Sequence, residues 1–325
     1  HRDLRSVPTR RASDLALAVF DDGTGPALYA GGTFTTAGGV SANRIAKWEG
    51  ATWSPLGSGI SGLVTILTVF DDGTGPALYA GGQFNTAGGI SAQNLARWDG
   101  ESWSPLGSGT NGLVRALTPF DDGTGLVLYA GGTFTTAEGV GANTLAKWDG
   151  TSLLPVGSGI NHWVRALTVF DDGAGPALYA GGYFTTAGGV TANRIAKWDG
   201  TSWSPLGSGM NSLVYALTVF DNGAGPALYA GGAFTTAGGV SAKVIAKWDG
   251  MSWSPLGRGI SGGVRALTVF DDGTGPALYA GGGFTTAGGI SANRIAKWDG
   301  TSWSRVGSGM NSSVLALTVF DEGTG

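Results

Sequence analysis

Residues 62–109 read GLVTILTVFDDGTGPALYAGGQFNTAGGISAQNLARWDGESWSPLGSG, and this stretch decides the fold. Four strand-like pieces are predicted in it, at 62–70, 77–84, 95–98 and 102–109. They are rich in β-branched and aromatic residues, which favour strands. Asp-Asp-Gly-Thr-Gly-Pro and Asp-Gly between them are turn sequences, and NTAGGISAQN is a longer polar loop. The stretch therefore predicts four short antiparallel strands.

The same stretch recurs along the chain with a period of 50 residues, and its phenylalanine stands at positions 20, 70, 120, 170, 220, 270 and 320. Four strands per repeat of this length are typical of a propeller blade, whereas a β-helix or other solenoid uses shorter repeats. Residues 15–315 are predicted to form six repeats, 1–14 a degenerate N-terminal segment, and 316–325 the start of a seventh repeat.

These repeats predict an all-β fold, a β-propeller with six four-stranded antiparallel blades. Two alternatives stay open at this point, because 316–325 supplies one strand beyond six repeats. The chain could be part of a seven-bladed or larger ring, or its ring could close through another chain. The spare edge strand also predicts self-association, since an exposed edge invites strand addition.

Three pieces of each repeat resemble the kelch repeat: an apolar strand ending in Gly-Gly (Leu78–Gly82), an aromatic-Asp-Gly turn (Trp98–Gly100) and a second tryptophan, Trp103. The resemblance covers all six repeats, although Leu153 replaces the second tryptophan in the third. It is a likeness to kelch-type propellers often found in secreted bacterial proteins, and it implies an extracellular or cell-surface location. It says little about function, because such propellers host many activities.

The composition argues against most catalytic and nucleic-acid functions. The chain has no cysteine, and its two histidines are His1 and His162. The copper site of galactose oxidase, an enzyme on a similar propeller, therefore cannot be placed here. The net charge is -4 without a basic block, which argues against a nucleic-acid partner. No apolar run approaches the ~18 residues of a membrane span. We predict a protein that is not an enzyme, with no cofactor and no metal site.

Three repeated features have both a structural and a functional interpretation. The acidic pair after each first strand is either turn chemistry or a calcium site, and turn chemistry is favoured because calcium needs about six to eight oxygens. The tryptophan pair is interpreted as packing rather than as a sugar platform. The cation before the first tryptophan is interpreted as part of a ring of cations at one edge, with an anion-binding belt as the alternative. These cations are Lys47, Arg97, Lys147, Lys197, Lys247 and Lys297.

The repeats differ from one another mainly after Gly-Ser-Gly, one residue into the first strand, and at the two ends of the long loop. If the first strand is innermost, these positions share one face at the mouth of the central channel. Arginine and aromatic side chains on a concave surface suit carboxylate, sulfate or sugar recognition. The predicted ligand site consists of Arg115, Arg165, Arg265, Tyr215, Trp163 and His162.

The sequence thus supports two functional hypotheses. The first is a non-catalytic binding or scaffold propeller, whose ligand is a glycan, an anionic small molecule or a protein. The second is a recently amplified structural or assembly propeller with no dedicated ligand, in which the variable positions record drift after duplication.

Overall fold

The computed structural model describes residues 15–321. Within that range the protein is all-β, with six four-stranded antiparallel sheets, each in the order first, second, third, fourth strand. The prediction of a six-bladed β-propeller is confirmed by the six sheets of residues 15–321. The alternatives, a chain that is part of a larger ring or a ring closed through another chain, stay predictions. No helix long and apolar enough to cross a membrane occurs among these residues.

The chain divides into two compact units with three blades each. The first unit runs to Gly159 and includes the residues from Thr318 onward. The first to fourth strands of its blades are Ala16–Asp21, Pro26–Gly31, Ile45–Trp48 and Trp53–Pro55 in blade 1; Leu63–Asp71, Pro76–Gln83, Leu95–Trp98 and Trp103–Pro105 in blade 2; and Val114–Asp121, Leu126–Gly132, Leu145–Trp148 and Leu153–Pro155 in blade 3.

The second unit is Ile160–Leu317. The strands of its blades are Val164–Asp171, Pro176–Gly182, Ile195–Trp198 and Trp203–Pro205 in blade 4; Val214–Asp221, Pro226–Gly232, Ile245–Trp248 and Trp253–Pro255 in blade 5; and Val264–Asp271, Pro276–Gly282, Ile295–Trp298 and Trp303–Arg305 in blade 6.

The strand directions give each blade two distinct ends. The turn end holds the turns from first to second and from third to fourth strand. The loop end holds the long loop between second and third strands and the connection from the fourth strand to the next blade. At the loop end of blade 3, Asn111 in the incoming connection accepts hydrogen bonds from the backbone N–H groups of Thr135 and Thr136, at 2.8 and 3.0 Å. The two variable loops of a blade are therefore in direct contact.

The strand predictions for 62–109 need two corrections. The fourth strand, predicted to run to residue 109, ends at Pro105, because Gly107 and Gly109 adopt positive φ and the N–H of Gly109 bonds back to the carbonyl of Leu106. The long loop is not irregular throughout. Thr86–Ala87 and Ile90–Ser91 form a small hairpin around a Gly-Gly turn, and the other five blades have the equivalent.

The first strand of blades 2 to 6 carries a β-bulge at its second or third residue. In blade 4 the pairing with the second strand shifts between Val164 and Ala166, so that Arg165 is the extra residue. The bulges fall at the variable position of the first strand, namely Thr65, Arg115, Arg165, Tyr215 and Arg265. A bulge re-aims the side chain of the extra residue.

The tryptophan pair is a packing feature, as interpreted from the sequence. The rings of Trp98 and Trp103 lie 5.3 Å apart, and both side chains are buried. The indole N–H of Trp103 donates to the carbonyl of Leu56 in the preceding blade at 3.3 Å. The fourth strand of one blade is thereby tied to its neighbour.

The predicted boundaries of the repeat region remain predictions. Residues 1–14, interpreted as a degenerate segment, lie outside the described residues. Of the predicted seventh repeat at 316–325, residues 316–321 are described, and they form a single β-bridge at Phe320 instead of a strand.

Candidate functional site

The most distinctive grouping in the second unit is an arginine–tyrosine stack, formed by Arg165, Tyr215 and Arg265. The guanidinium carbon of Arg165 lies 5.1 Å from the centroid of the Tyr215 ring, and that of Arg265 lies 5.0 Å from it. The three residues hold the bulge position in three successive blades. Because the bulge directs each side chain toward the neighbouring first strand, one tyrosine is flanked by two cations.

A second grouping, the aromatic platform, is specific to blade 4 and consists of His162, Trp163 and Tyr183. The His162 ring lies 4.9 Å from Trp163 and 5.1 Å from Tyr183, edge-on to the latter. Trp163 and Tyr183 are each 42% exposed, which is unusual for large aromatic side chains. The guanidinium of Arg194 lies 5.6 Å from the centroid of Tyr183.

Backbone pairing explains why Trp163 and Tyr183 meet. The N–H of Tyr183 donates to the carbonyl of Trp163 at 2.9 Å, where the second strand leaves the blade and the first strand enters it. The equivalent pairs in blades 5 and 6 are Leu213 with Ala233 and Gly263 with Gly283. The two variable positions are thus neighbours in space. The side chains at this pair of positions are aromatic in blade 4 and aliphatic in blade 5, and blade 6 has glycine at both.

Charge is divided between the two ends of the blades in this unit. The connections, long loops and first-strand starts carry six cations and no carboxylate among residues 160–317. These cations are Arg165, Arg194, Lys243, Arg258, Arg265 and Arg294. The eight carboxylates of the unit all end or directly follow a first or third strand, at the turn end. They are Asp171, Asp172, Asp199, Asp221, Asp249, Asp271, Asp272 and Asp299.

The structure therefore brings five of the six predicted site residues into two groupings. Arg165, Arg265 and Tyr215 form the stack, and His162 and Trp163 belong to the platform. The sixth, Arg115, belongs to the first unit and holds the bulge of blade 3. Whether it shares one opening with Arg165 and Arg265 stays a prediction.

In the first unit, the bulge residue of blade 2, Thr65, also directs its side chain toward the first strand of the next blade. The Thr65 hydroxyl donates to the carbonyls of Gly81 and of Val114, the latter in the first strand of blade 3. A cavity of about 360 Å³ lies at the loop end of blade 2 and is lined by Ser61, Gly62, Gln83, Phe84, Asn85 and Thr86. The loop end of blade 2 is thus concave.

Tyr183, Arg194 and Gly263 were missing from the predicted site. The signal for them was present, since all three stand at positions where the repeats differ from one another. Their importance depends on contacts across strands, which the variability alone does not show.

Five of the six cations before the first tryptophan pair with an aspartate, and the anion-binding belt is therefore not supported. Lys197 donates to Asp172 Oδ2 at 2.6 Å, and Tyr179 donates to the same oxygen at 2.8 Å. Lys47, Lys147 and Lys297 have the equivalent aspartate partner. We call this Asp–Tyr–Lys contact the turn clasp. Partial burial would raise the pKa of Asp172, but the hydrogen bonds from Lys197 and Tyr179 outweigh it and lower that pKa.

The acidic pair has the geometry of a turn, as favoured from the sequence. Asp171 Oδ1 accepts the backbone N–H groups of Gly173 and Gly175 at 2.8 and 3.0 Å. Its neighbour Asp172 is engaged in the turn clasp. Both carboxylates thus have protein donors, which is the pattern of an Asx turn. The described residues contain no group of three or more acidic or histidine side chains placed to hold a metal ion.

Comparison with known proteins supports the fold and goes no further. No protein-family model and no curated protein matches the sequence. Among solved structures, the chain is similar to the extracellular domain of the proposed one component system BT4673 from B. thetaiotaomicron, with a TM-score of 0.58 and 11% identity. The match covers 96% of this chain but only 37% of that chain. The kelch-type resemblance stays a prediction.

Proposed function

We propose that this protein is a non-catalytic binding propeller, and that its ligand presents an anionic group to the loop end of the second unit. The observation that carries the proposal is Tyr215 flanked by Arg165 and Arg265 at 5.1 and 5.0 Å. A cation over an aromatic face is held in place at a gain of about 0.5–2 kcal/mol, which pre-orders it for a ligand. The guanidinium groups keep N–H donors suited to carboxylate, sulfate or phosphate.

The charge distribution supports an anion rather than a cation as the ligand. The connections, long loops and first-strand starts of the second unit carry six cations without a carboxylate, whereas all eight carboxylates of the unit lie at the turn end. A concentration of one sign of charge on one end attracts ligands of the other sign. The ligand can be a small molecule, a glycan or a protein segment that carries such a group.

The proposal of a binding role without catalysis has its own support. His162 is the one histidine among the described residues, and its Nδ1 accepts the N–H of Trp163 at 2.9 Å, within the aromatic platform. We also propose that the protein works outside the cell, secreted or at a bacterial surface. The similar solved structure, an extracellular domain, supports this location.

Two double variants with the same loss of charge test the binding role. Arg165→Ala with Arg265→Ala removes both guanidinium groups of the stack. The control, Lys243→Asn with Arg258→Ser, removes two exposed cations from the same end and installs the residues that other repeats have there. Binding of citrate, a tricarboxylate, is measured by calorimetry at low ionic strength.

We expect the parent protein and the control to bind citrate within threefold of each other, and the R165A/R265A variant to bind at least tenfold more weakly. Equal affinities for all three proteins would show that the stack is no more than two ordinary surface charges. If the parent binds neither citrate, inorganic sulfate nor an acidic trisaccharide, the structural or assembly hypothesis replaces the binding role.

A further inference from the structure

We propose that the aromatic platform and the arginine–tyrosine stack together form a site for an anionic saccharide, a sugar chain that carries carboxylate or sulfate groups. This inference rests on the proposed binding function and names its ligand class. The platform receives the apolar face of a sugar ring, and the arginines of the stack bind the acidic substituents.

The first support is the exposure of the platform. Trp163 and Tyr183 are held by backbone pairing and by ring contacts with His162, yet each stays 42% exposed. Rigid aromatic side chains that are ordered before binding supply contact area at low entropic cost. The C–H groups on one face of a sugar ring are a natural partner for such a surface. The other blades of this unit have aliphatic residues or glycine at these positions.

The second support is the connection between platform and stack. Trp163 precedes Arg165 by two residues on entry to the same strand, so their backbones are at most about 7 Å apart. A ligand of two or three sugar rings spans that distance. It can therefore contact the platform with one ring and the arginines with the acidic group of another.

The third support is the open space beside Tyr215 in blade 6. A β-carbon added to Gly263 would have no neighbour closer than 3.7 Å, and Tyr215 Cε2 would lie at 3.9 Å. Packing does not require glycine here, and blades 2, 3 and 5 have leucine at this position. Glycine leaves the edge of Tyr215 and the approach to Arg265 uncovered. The surface thus has exposed aromatic rings at blade 4, Trp163 and Tyr183, and a glycine without a side chain at blade 6, Gly263.

The platform and the stack together distinguish an acidic sugar chain from other ligands. A small anion needs only the arginines, and an acidic peptide has no extended apolar ring face to cover Trp163 and Tyr183. A neutral sugar contacts the platform but brings no anionic group to the two guanidinium groups. Only an acidic sugar chain uses both groupings, which is how specificity arises from a few well-placed polar groups beside an apolar wall.

Calorimetry with four probes tests the ligand class: trigalacturonate, sulfated maltotriose, maltotriose and hexaglutamate. Two variants separate the contributions. The platform variant, Trp163→Leu with Tyr183→Ala, replaces the two exposed rings of the platform by the residues of blade 5 and keeps His162. Gly263→Leu introduces the leucine that three other blades have at this position. It covers the edge of Tyr215 without changing any charge. Near-ultraviolet circular dichroism and the unfolding midpoint show whether each variant is folded.

We expect the parent to bind at least one of the two anionic trisaccharides tenfold more tightly than maltotriose or hexaglutamate. The platform variant and G263L should each lose at least tenfold in that affinity, whereas the platform variant should bind citrate as the parent does. The K243N/R258S control should keep the trisaccharide affinity within threefold.

Three outcomes would overturn the inference. The first is trisaccharide affinity unchanged in both variants, and the second is hexaglutamate binding as tight as that of the trisaccharides. The third is citrate binding that depends on Arg165 and Arg265 while neither trisaccharide binds, which would refute the saccharide and leave the anion-binding function intact. Failure of the anion-binding role proposed for the stack is seen separately, as equal citrate affinity in the parent and in R165A/R265A.

Discussion

Gly188 lies directly against Trp203 in blade 4: a β-carbon on the glycine would come within 2.6 Å of the indole Cδ1. The same glycine–tryptophan contact recurs in four other blades, at Gly38, Gly88, Gly238 and Gly288. In blade 3 both partners differ, since Glu138 replaces the glycine and Leu153 the tryptophan. Glu138 therefore has a β-carbon at the point where the indole lies in the other five blades.

This exchange predicts strong coupling between positions 138 and 153. Leu153→Trp alone should destabilise blade 3 by about 1–3 kcal/mol, because the indole and the Glu138 side chain compete for one space. Glu138→Gly in the same chain should relieve the clash and let the indole N–H reach the carbonyl of Leu106, as Trp103 reaches that of Leu56. Equilibrium urea unfolding of both single variants and the double variant measures the coupling free energy. Additive effects would contradict the exchange.

The turn clasp is incomplete in blade 5, where Asn222 replaces the aspartate. Its amide Nδ2 donates to the carbonyl of Gly300 at 3.4 Å. Asn222→Asp should provide a carboxylate for Lys247 and Tyr229, as Asp172 does in blade 4, and raise the free energy of unfolding by about 1 kcal/mol.

The control for this change is the same substitution combined with Lys247→Ala, in which the gain should disappear. The thermal unfolding midpoints of the single and combined variants are compared with that of the parent. An N222D protein that is no more stable than the parent would show that the clasp contributes only a weak surface ion pair.

The carboxylates of the turns make stability depend on acid pH. The hydrogen bond from Lys297 holds the pKa of Asp272 well below its ordinary value of 3.8, and the backbone N–H of Ser202 does the same for Asp199. A carboxylate with a lowered pKa in the folded state stabilises it above the pKa of the unfolded chain. That contribution is lost as the pH falls through the folded-state value.

We therefore expect the free energy of unfolding to be nearly constant from neutral pH to about pH 5 and to fall progressively below about pH 4. Urea unfolding at constant ionic strength between pH 7 and pH 2 measures the dependence. A curve that stays flat down to pH 3 would mean that the turn aspartates have similar pKa values in the folded and unfolded chains.

Val244 has a left-handed backbone, with φ of 60°, which is unfavourable for a β-branched residue. The equivalent Asn94 has φ of 66°, accepts the N–H of Phe84 at 3.0 Å and donates to the carbonyl of Thr110 at 2.7 Å. Val244→Asn should therefore stabilise the protein by about 1–2 kcal/mol. The reciprocal Asn94→Val should destabilise it, and the pair is compared by urea unfolding. A loss of stability in V244N would contradict this account.

Much of the blade could be predicted because its signals are local. The third strand of blade 2 was predicted at its observed bounds, Leu95–Trp98, since Asp-Gly follows it directly. The fourth was predicted too long, because Gly107 and Gly109 turn the chain with positive φ that the apolar pattern does not reveal. The small hairpin at 86–91 was missed, since its strands have only two residues each.

The candidate site was predictable as a set of positions but not as a set of contacts. Differences between repeats pointed to Arg165, Tyr215 and Arg265. They could not show that one ring is flanked by two cations, because that depends on a bulge, which inserts a residue without leaving a sequence signature. The same limit applies to Lys197, whose partner Asp172 lies 25 residues away.

The sequence by itself determined the repeat, the four strands of each copy and their turns, because strand propensity and turn chemistry act between residues a few positions apart. It also located the differences between copies. Only the tertiary structure decided which side chains meet. Tyr215 lies between arginines 50 residues before and after it in the chain. Such a contact depends on how neighbouring blades pack and where the bulge turns the side chain, and neither is written in the residues of one repeat.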